Sequence, residues 1–206
     1  MAFVIFVTHP EVTIDPAVPV PEWSLSALGV KRMRLFCDHP FVRNITQIFS
    51  SGEKKARDGA DMLSRHLGLI HNVDPGLAEN DRSATGYLPK AEFVEVAKMF
   101  FKYPCRSISG WERAIDAQRR MVTTVHNIVA GSPGQNIALI SHGGVGTLLM
   151  CHLRHHPISL SLKPPAPEGG CYFALDATTF RLIHDWLEFE NDSPLSDASG
   201  DWGAVR

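Results

Sequence analysis

His9 and His142 each stand at the end of a short apolar run, Phe3-Val4-Ile5-Phe6-Val7-Thr8 before the first and Ile137-Ala138-Leu139-Ile140-Ser141 before the second. A neutral imidazole can attack phosphorus, and a charged one can stabilise the oxygens of a transferring phosphoryl group. Such runs read as buried strands, and in α/β sheets the chemistry gathers in the crevice at the carboxyl ends of strands. Two strand-end histidines would therefore face one pocket, and a phosphoryl group or similar anion is the expected tenant. Taken alone, His9 reads as a strand-end histidine satisfied by a loop carbonyl. Its match with His142 makes the pocket the better reading.

Those strands need a frame. Phe3–Thr8 predicts a first strand, and Pro10 to Pro21 a loop with four prolines. Ser24 or Ser26 can cap a helix to about Asp38 that buries Leu25, Leu28, Met33 and Leu35. A strand is expected at 45–50. A helix follows at 52–67, closed by Gly68, with Ala56, Ala60, Leu63 and Leu67 on one face. Residues 69–73 suggest a short strand, 90–101 and 111–130 two helices, and 171–176 with 179–188 a terminal hairpin. Alternating strands and helices predict an α/β fold. It is a three-layer, doubly wound, mostly parallel sheet with helices on both faces. A single domain is expected over 1–190, with an inserted cap region at about 74–110 and a polar C-terminal tail over 191–206.

Composition narrows the function. The chain has 206 residues, 44% of them hydrophobic, and a formal net charge of −2. No strong field draws it to nucleic acid or to an anionic membrane. No stretch approaches the roughly 20 apolar residues of a membrane span. The four cysteines are scattered without a C-x-x-C pair, which suggests free thiols in a reducing, cytoplasmic setting. His152, His155 and His156 beside Cys151 lack the H-x-x-x-H step of a helical metal site, so neither metal nor other cofactor is expected. No nucleotide-binding glycine motif and no G-x-S-x-G elbow occurs.

Four features then fall in order: Thr8-His9-Pro10-Glu11; Ser51 followed by Gly52-Glu53-Lys54-Lys55-Ala56; Glu79 in the long connection; and Ser141-His142-Gly143. In this order and spacing the chain resembles the histidine phosphatase superfamily, the phosphoglycerate mutase-like fold, over about residues 3–188. The resemblance implies that His9 is the phosphorylated nucleophile, His142 the second pocket histidine and Glu79 the loop acid. Asp81 is a nearby substitute for that acid. Lys55 falls where the family has an arginine, Asp15 near a family polar position, and Ser51 and Gly143 within motifs that meet phosphate. Arg82 could swing over the pocket, and Ser83, Thr85 and Tyr87 could line its approach.

The chain departs from the family pattern at three positions. Thr8 replaces the arginine before the first histidine, Pro10 the glycine after it, and Lys55 the second-motif arginine. A bidentate fork is thereby exchanged for a hydroxyl and a point charge. Simpler roles also fit some of these residues: Lys55 as a solvated helix lysine, Ser51 as a cap, Asp15 as a turn former before Pro16. The expected activity is phosphomonoester hydrolysis through phosphohistidine. The alternatives are a family member that binds a phosphorylated or anionic ligand without turnover, and a phosphoglycerate mutase-type phosphotransferase. The partner is a small phosphorylated substrate, with oligomeric state open.

Overall fold

The computed structural model describes residues 2–196. Strand β1 (Phe3–Thr8) is buried at every position, as an unbroken apolar run must be when both faces of its sheet are covered. Its side chains alternate. Phe3, Ile5 and Val7 pack with Met33, Phe36, Ala56, Ala60 and Leu63, which belong to helices α1 (Ala27–Asp38) and α2 (Lys54–Leu67). Val4 and Phe6 pack on the other face with Met121, Val125, Val145 and Leu148. Those come from α4 (Ala114–Ala130) and α5 (Gly143–Leu153). The remaining elements are β2 (Gln47–Ser50), β3 (His71–Val73), α3 (Lys90–Lys102), β4 (Ile137–Ser141), β5 (Cys171–Asp176) and β6 (Leu182–Glu188).

The six strands run in the order β3-β2-β4-β1-β5-β6. The pairs β1–β4, β2–β4 and β2–β3 are parallel, while β1–β5 and β5–β6 are antiparallel. The sheet is thus mixed, with helices on both faces, and the terminal hairpin supplies its antiparallel half. In the β1–β4 register Thr8 lies opposite Ser141. His9 and His142 consequently leave the sheet side by side.

Two details of α1 depart from its sequence reading. Ser26 caps the helix, accepting the Gly29 N–H at 3.0 Å, but Leu28 and Leu35 are 54% and 43% exposed. The buried face is instead Gly29, Arg32, Met33, Phe36 and Cys37, because Arg32 is turned inward onto partners. It donates to both oxygens of Glu190, to Glu11, and to the carbonyls of Gly169 and Gly170. On α2 the expected face is buried at Ala56, Ala60 and Leu63. Gly68 closes it with φ 68°, a left-handed conformation suited to glycine.

Residues 74–110 hold a 3-10 turn and α3, and Leu77, Phe100 and Phe101 join the core on the α4–α5 face. The polar tail expected from 191 is corrected at its start. Ser193 and Leu195 are buried, and Leu195 packs into the α1–α2 side of the core. The rest of that segment, residues 197–206, lies outside the described residues. Among the described residues no helix is long and apolar enough to cross a membrane.

Candidate active site

His9 is held on three sides. Its N–H donates to Ser141 O at 3.0 Å, and its carbonyl accepts the Gly170 N–H at 3.2 Å. Its ring Nδ1 lies 2.9 Å from Pro10 O. A carbonyl can only accept, so Nδ1 carries the proton and the lone pair stands on Nε2. Gly169 makes this seat possible, because a Cβ there would fall 2.0 Å from His9 O and its φ is +78°. The loop carbonyl expected to satisfy a strand-end histidine therefore exists, and it orients the ring without occupying Nε2.

The His142 ring lies 5.2 Å from that of His9, centroid to centroid, at 69°. Its Nε2 is 2.7 Å from Ser51 Oγ and 3.4 Å from Glu53 Oε1. Its Nδ1 is buried and has no hydrogen-bond partner. Glu53 precedes α2 and makes three further contacts. Its N–H donates to Ser51 Oγ at 3.2 Å, its Oε1 accepts the Glu79 N–H at 3.1 Å, and its Oε2 pairs with Lys55 Nζ. Lys55 is buried and also donates to Val20 O at 2.9 Å.

Burial and charge set the protonation of this cluster. Burial first, then the Lys55 charge, lowers His9 to about 4 against partial support from Pro10 O and Glu53; Arg82 lowers it further. At neutral pH its ring is uncharged. Burial also drives His142 well below its ordinary value, with Glu53 opposing and His9, Lys55 and Arg82 assisting. For Glu53 burial favours the neutral acid, but attraction to His142 and Lys55, with hydrogen bonds from Lys55 and the Glu79 N–H, holds it at about 2. Both imidazoles are thus held toward the neutral form beside an ionised Glu53.

A family model for the histidine phosphatase superfamily (branch 1) matches residues 13–176. The chain belongs to the histidine phosphatase superfamily. The match begins after His9, so the placement of that residue rests on the sheet register and the site geometry. No curated protein sequence matches the chain. Among solved structures it is similar to YhfR of Bacillus stearothermophilus, with TM-score 0.76 and 17% identity over 96% of this chain and 100% of that one. A mutant of Entamoeba histolytica phosphoserine phosphatase in complex with phosphoserine gives TM-score 0.73 and 14% identity, covering 92% and 98%. A mycobacterial glucosyl-3-phosphoglycerate phosphatase with inorganic phosphate gives 0.71 and 19%, covering 95% and 99%. At these identities the likeness establishes the fold.

Against the superfamily pattern the remaining sequence-derived candidates divide. Arg82 rests over the rings of Phe93 and Trp111, 5.1 and 5.6 Å from their centroids. Its charge reaches both histidines. It makes no ion pair among the described residues. Glu79 lies at the N-terminus of α5, where its oxygens accept the N–H groups of Gly144 at 3.1 Å and Val145 at 2.9 Å. Gly143 opens that helix.

Three candidates are corrected. The Thr8 hydroxyl both donates to Cys171 O and accepts the Cys171 N–H. It stitches β1 to β5 and is unavailable to an anion. Asp15 is exposed and closes a turn by accepting the Ala17 N–H. Asp81 is also exposed, and its carboxylate turns back onto its own loop, accepting the Ser83 N–H at 2.8 Å. Ser51 acts on His142 through its hydroxyl, 2.7 Å from the ring. Glu53 is the residue of this cluster that the sequence does not single out. Its one signal was an acid two residues ahead of Lys55 at a helix start, and that position also suits an ordinary dipole-complementing glutamate.

Proposed function

We propose that the protein is a phosphomonoester hydrolase working through a phosphohistidine on His9. One observation carries this: a neutral His9, its Nε2 free, 5.2 Å from a second imidazole whose Nδ1 is buried and unpartnered. His9 Nε2 attacks phosphorus as the ester P–O bond breaks, and the leaving oxygen takes a proton. Water then cleaves the P–N bond, releasing inorganic phosphate and restoring the ring. Lys55 and Arg82 supply the positive charge that the superfamily's arginines would bring, as one point charge and one fork. The purified protein should release phosphate from an aryl phosphomonoester. Release no faster than the enzyme-free background would reject the proposal.

The cations give a graded test. A hydrogen bond to a charged group contributes about 1.5–3 kcal/mol. Lys55→Gln and Arg82→Ala should each lower kcat/KM about 10- to 100-fold in steady-state hydrolysis. Unchanged rates in both would remove them from the phosphate pocket.

Glu79 is assigned the leaving-group proton, because its carboxylate stands at the start of the helix that follows His142. A general acid contributes about 100-fold or more where the leaving alkoxide is poor. Glu79→Gln keeps a carbonyl for the α5 amides but cannot donate a carboxyl proton. It should slow alkyl phosphates by that amount and barely affect p-nitrophenyl phosphate. Equal losses on both substrates would assign Glu79 to the fold alone.

A second reading has its own support. Lys55 already satisfies Glu53 and Val20 O, which suits a pocket that binds a phosphorylated ligand without turning it over. Such a protein would bind inorganic phosphate and fail the hydrolysis assay.

A further inference from the structure

Glu53 lies within the second motif stretch, between Ser51 and Lys55, at a position to which the resemblance gives no role. Two groups meet His142 Nε2: Ser51 Oγ at 2.7 Å and Glu53 Oε1 at 3.4 Å, and the Glu53 N–H fixes the serine by donating to its Oγ. The opposite ring nitrogen, Nδ1, is buried and bonded to nothing. Charged or titratable groups face the ring from every neighbouring element. They are His9 after β1, Glu53 and Lys55 at the start of α2, and Arg82 in the loop before α3. Glu79, at the start of α5, has its oxygens on the Gly144 and Val145 amides. Only the Glu53 carboxylate lies within ion-pairing distance of the ring among the described residues.

A neutral His142 that gives its Nε2 proton to this cradle carries a lone pair on Nδ1, and a lone pair repels an oxyanion. A ring protonated on both nitrogens would donate to the cradle and to the oxyanion at once. We propose that Glu53 is a positioning residue whose charge, with Ser51 Oγ as the hydrogen-bond partner, keeps a proton on His142 Nε2, so that Nδ1 takes up a proton from solvent when an oxyanion binds. This rests on the phosphate-pocket reading above. No covalent bond changes in the step; one proton moves from water to Nδ1. Two anionic neighbours, Glu53 and the ligand, then repay the burial of the imidazolium.

The sign follows from linkage. A site whose proton affinity rises on ligand binding binds ligand better at low pH and worse as pH rises. The probe is sulfate, a dianion that does not itself titrate near neutrality. Calorimetry in buffers of different ionisation enthalpy should show close to one proton taken up per sulfate bound by the wild-type protein near neutral pH. Its Kd should weaken about tenfold per pH unit. Glu53→Gln keeps the side-chain shape and one acceptor oxygen, exchanges the other for an NH2 donor, and loses the counter-charge. It should abolish the uptake and flatten the pH profile. A purely structural Glu53, or simple removal of a negative charge, would change affinity without changing the slope.

Nitrogen-15 chemical shifts of His142 in the wild-type protein provide a readout independent of any variant's folding. Both ring nitrogens should be protonated in the sulfate complex and only one without sulfate. Sulfate binding with no uptake, an uptake unchanged in Glu53→Gln, or a neutral His142 in the complex overturns the inference and leaves the hydrolase proposal standing. A wild-type pocket that takes no sulfate overturns both.

Discussion

His9→Ala should lose at least about 10⁴-fold in phosphomonoester hydrolysis, because it deletes the atom that the proposed mechanism bonds to phosphorus. The loss should fall on kcat, since Lys55, Arg82 and His142 remain to hold the phosphate. A smaller defect of about 10- to 100-fold would mean that the histidine only binds. Two features make alanine an informative replacement. The main chain of residue 9 is fixed by Ser141 O and by the Gly170 N–H, and neither contact uses the side chain. The ring's own hydrogen bond runs to the adjacent Pro10 O, so its removal strands no distant buried donor. The decisive measurement pairs steady-state hydrolysis with rapid quenching on a radiolabelled phosphomonoester. Wild-type protein should retain an acid-labile, base-stable phosphoryl label and His9→Ala none. Label retained by the alanine variant would place the nucleophile elsewhere.

Arg32→Met should destabilise the fold by about 3–5 kcal/mol, the range expected when one partner of a buried ion pair is removed. Five hydrogen bonds leave with the guanidinium, to Glu190, Glu11, Gly169 O and Gly170 O. Glu11 is left with an 81%-shielded carboxylate, since its side chain is only 19% exposed. Its Oε2 already has no partner. Urea unfolding should show a lower midpoint with an unchanged slope. A midpoint shift worth less than about 1 kcal/mol would show that solvent screens the pair, as at a surface salt bridge. Activity should fall as well, because Arg32 gathers Glu11, two residues after His9, and the two glycines that close over the His9 carbonyl.

How much of this was legible in the chain depended on the range of the interactions. β1 and β4 were readable because a strand buried on both faces needs an unbroken apolar run, and the ends of those runs located both histidines. The inward turn of Arg32 was not readable. Its partners lie at 11, 169, 170 and 190, and only the folded sheet brings them together. The same distance hid the engagement of Thr8 with Cys171, 163 residues away. Leu28 and Leu35 read as core on type alone, and the helix phase that buries Arg32 turns them outward. Glu53 looked like helix decoration because its meaning depends on His142, which arrives from another strand. Arg82 was legible as a reachable cation. Its platform was not, because Phe93 lies on α3 and Trp111 in the connection before α4.

That platform has an electrical consequence. Glu53 partly cancels the field of Lys55, whereas aromatic faces attract a guanidinium without neutralising it. Arg82 is therefore the less compensated of the two cations, and under the proposed function it is the group expected to steer incoming anions. Added salt should accordingly erode the rate of substrate capture, a quantity tied to Arg82, and leave the chemical step between His9 and phosphorus almost untouched.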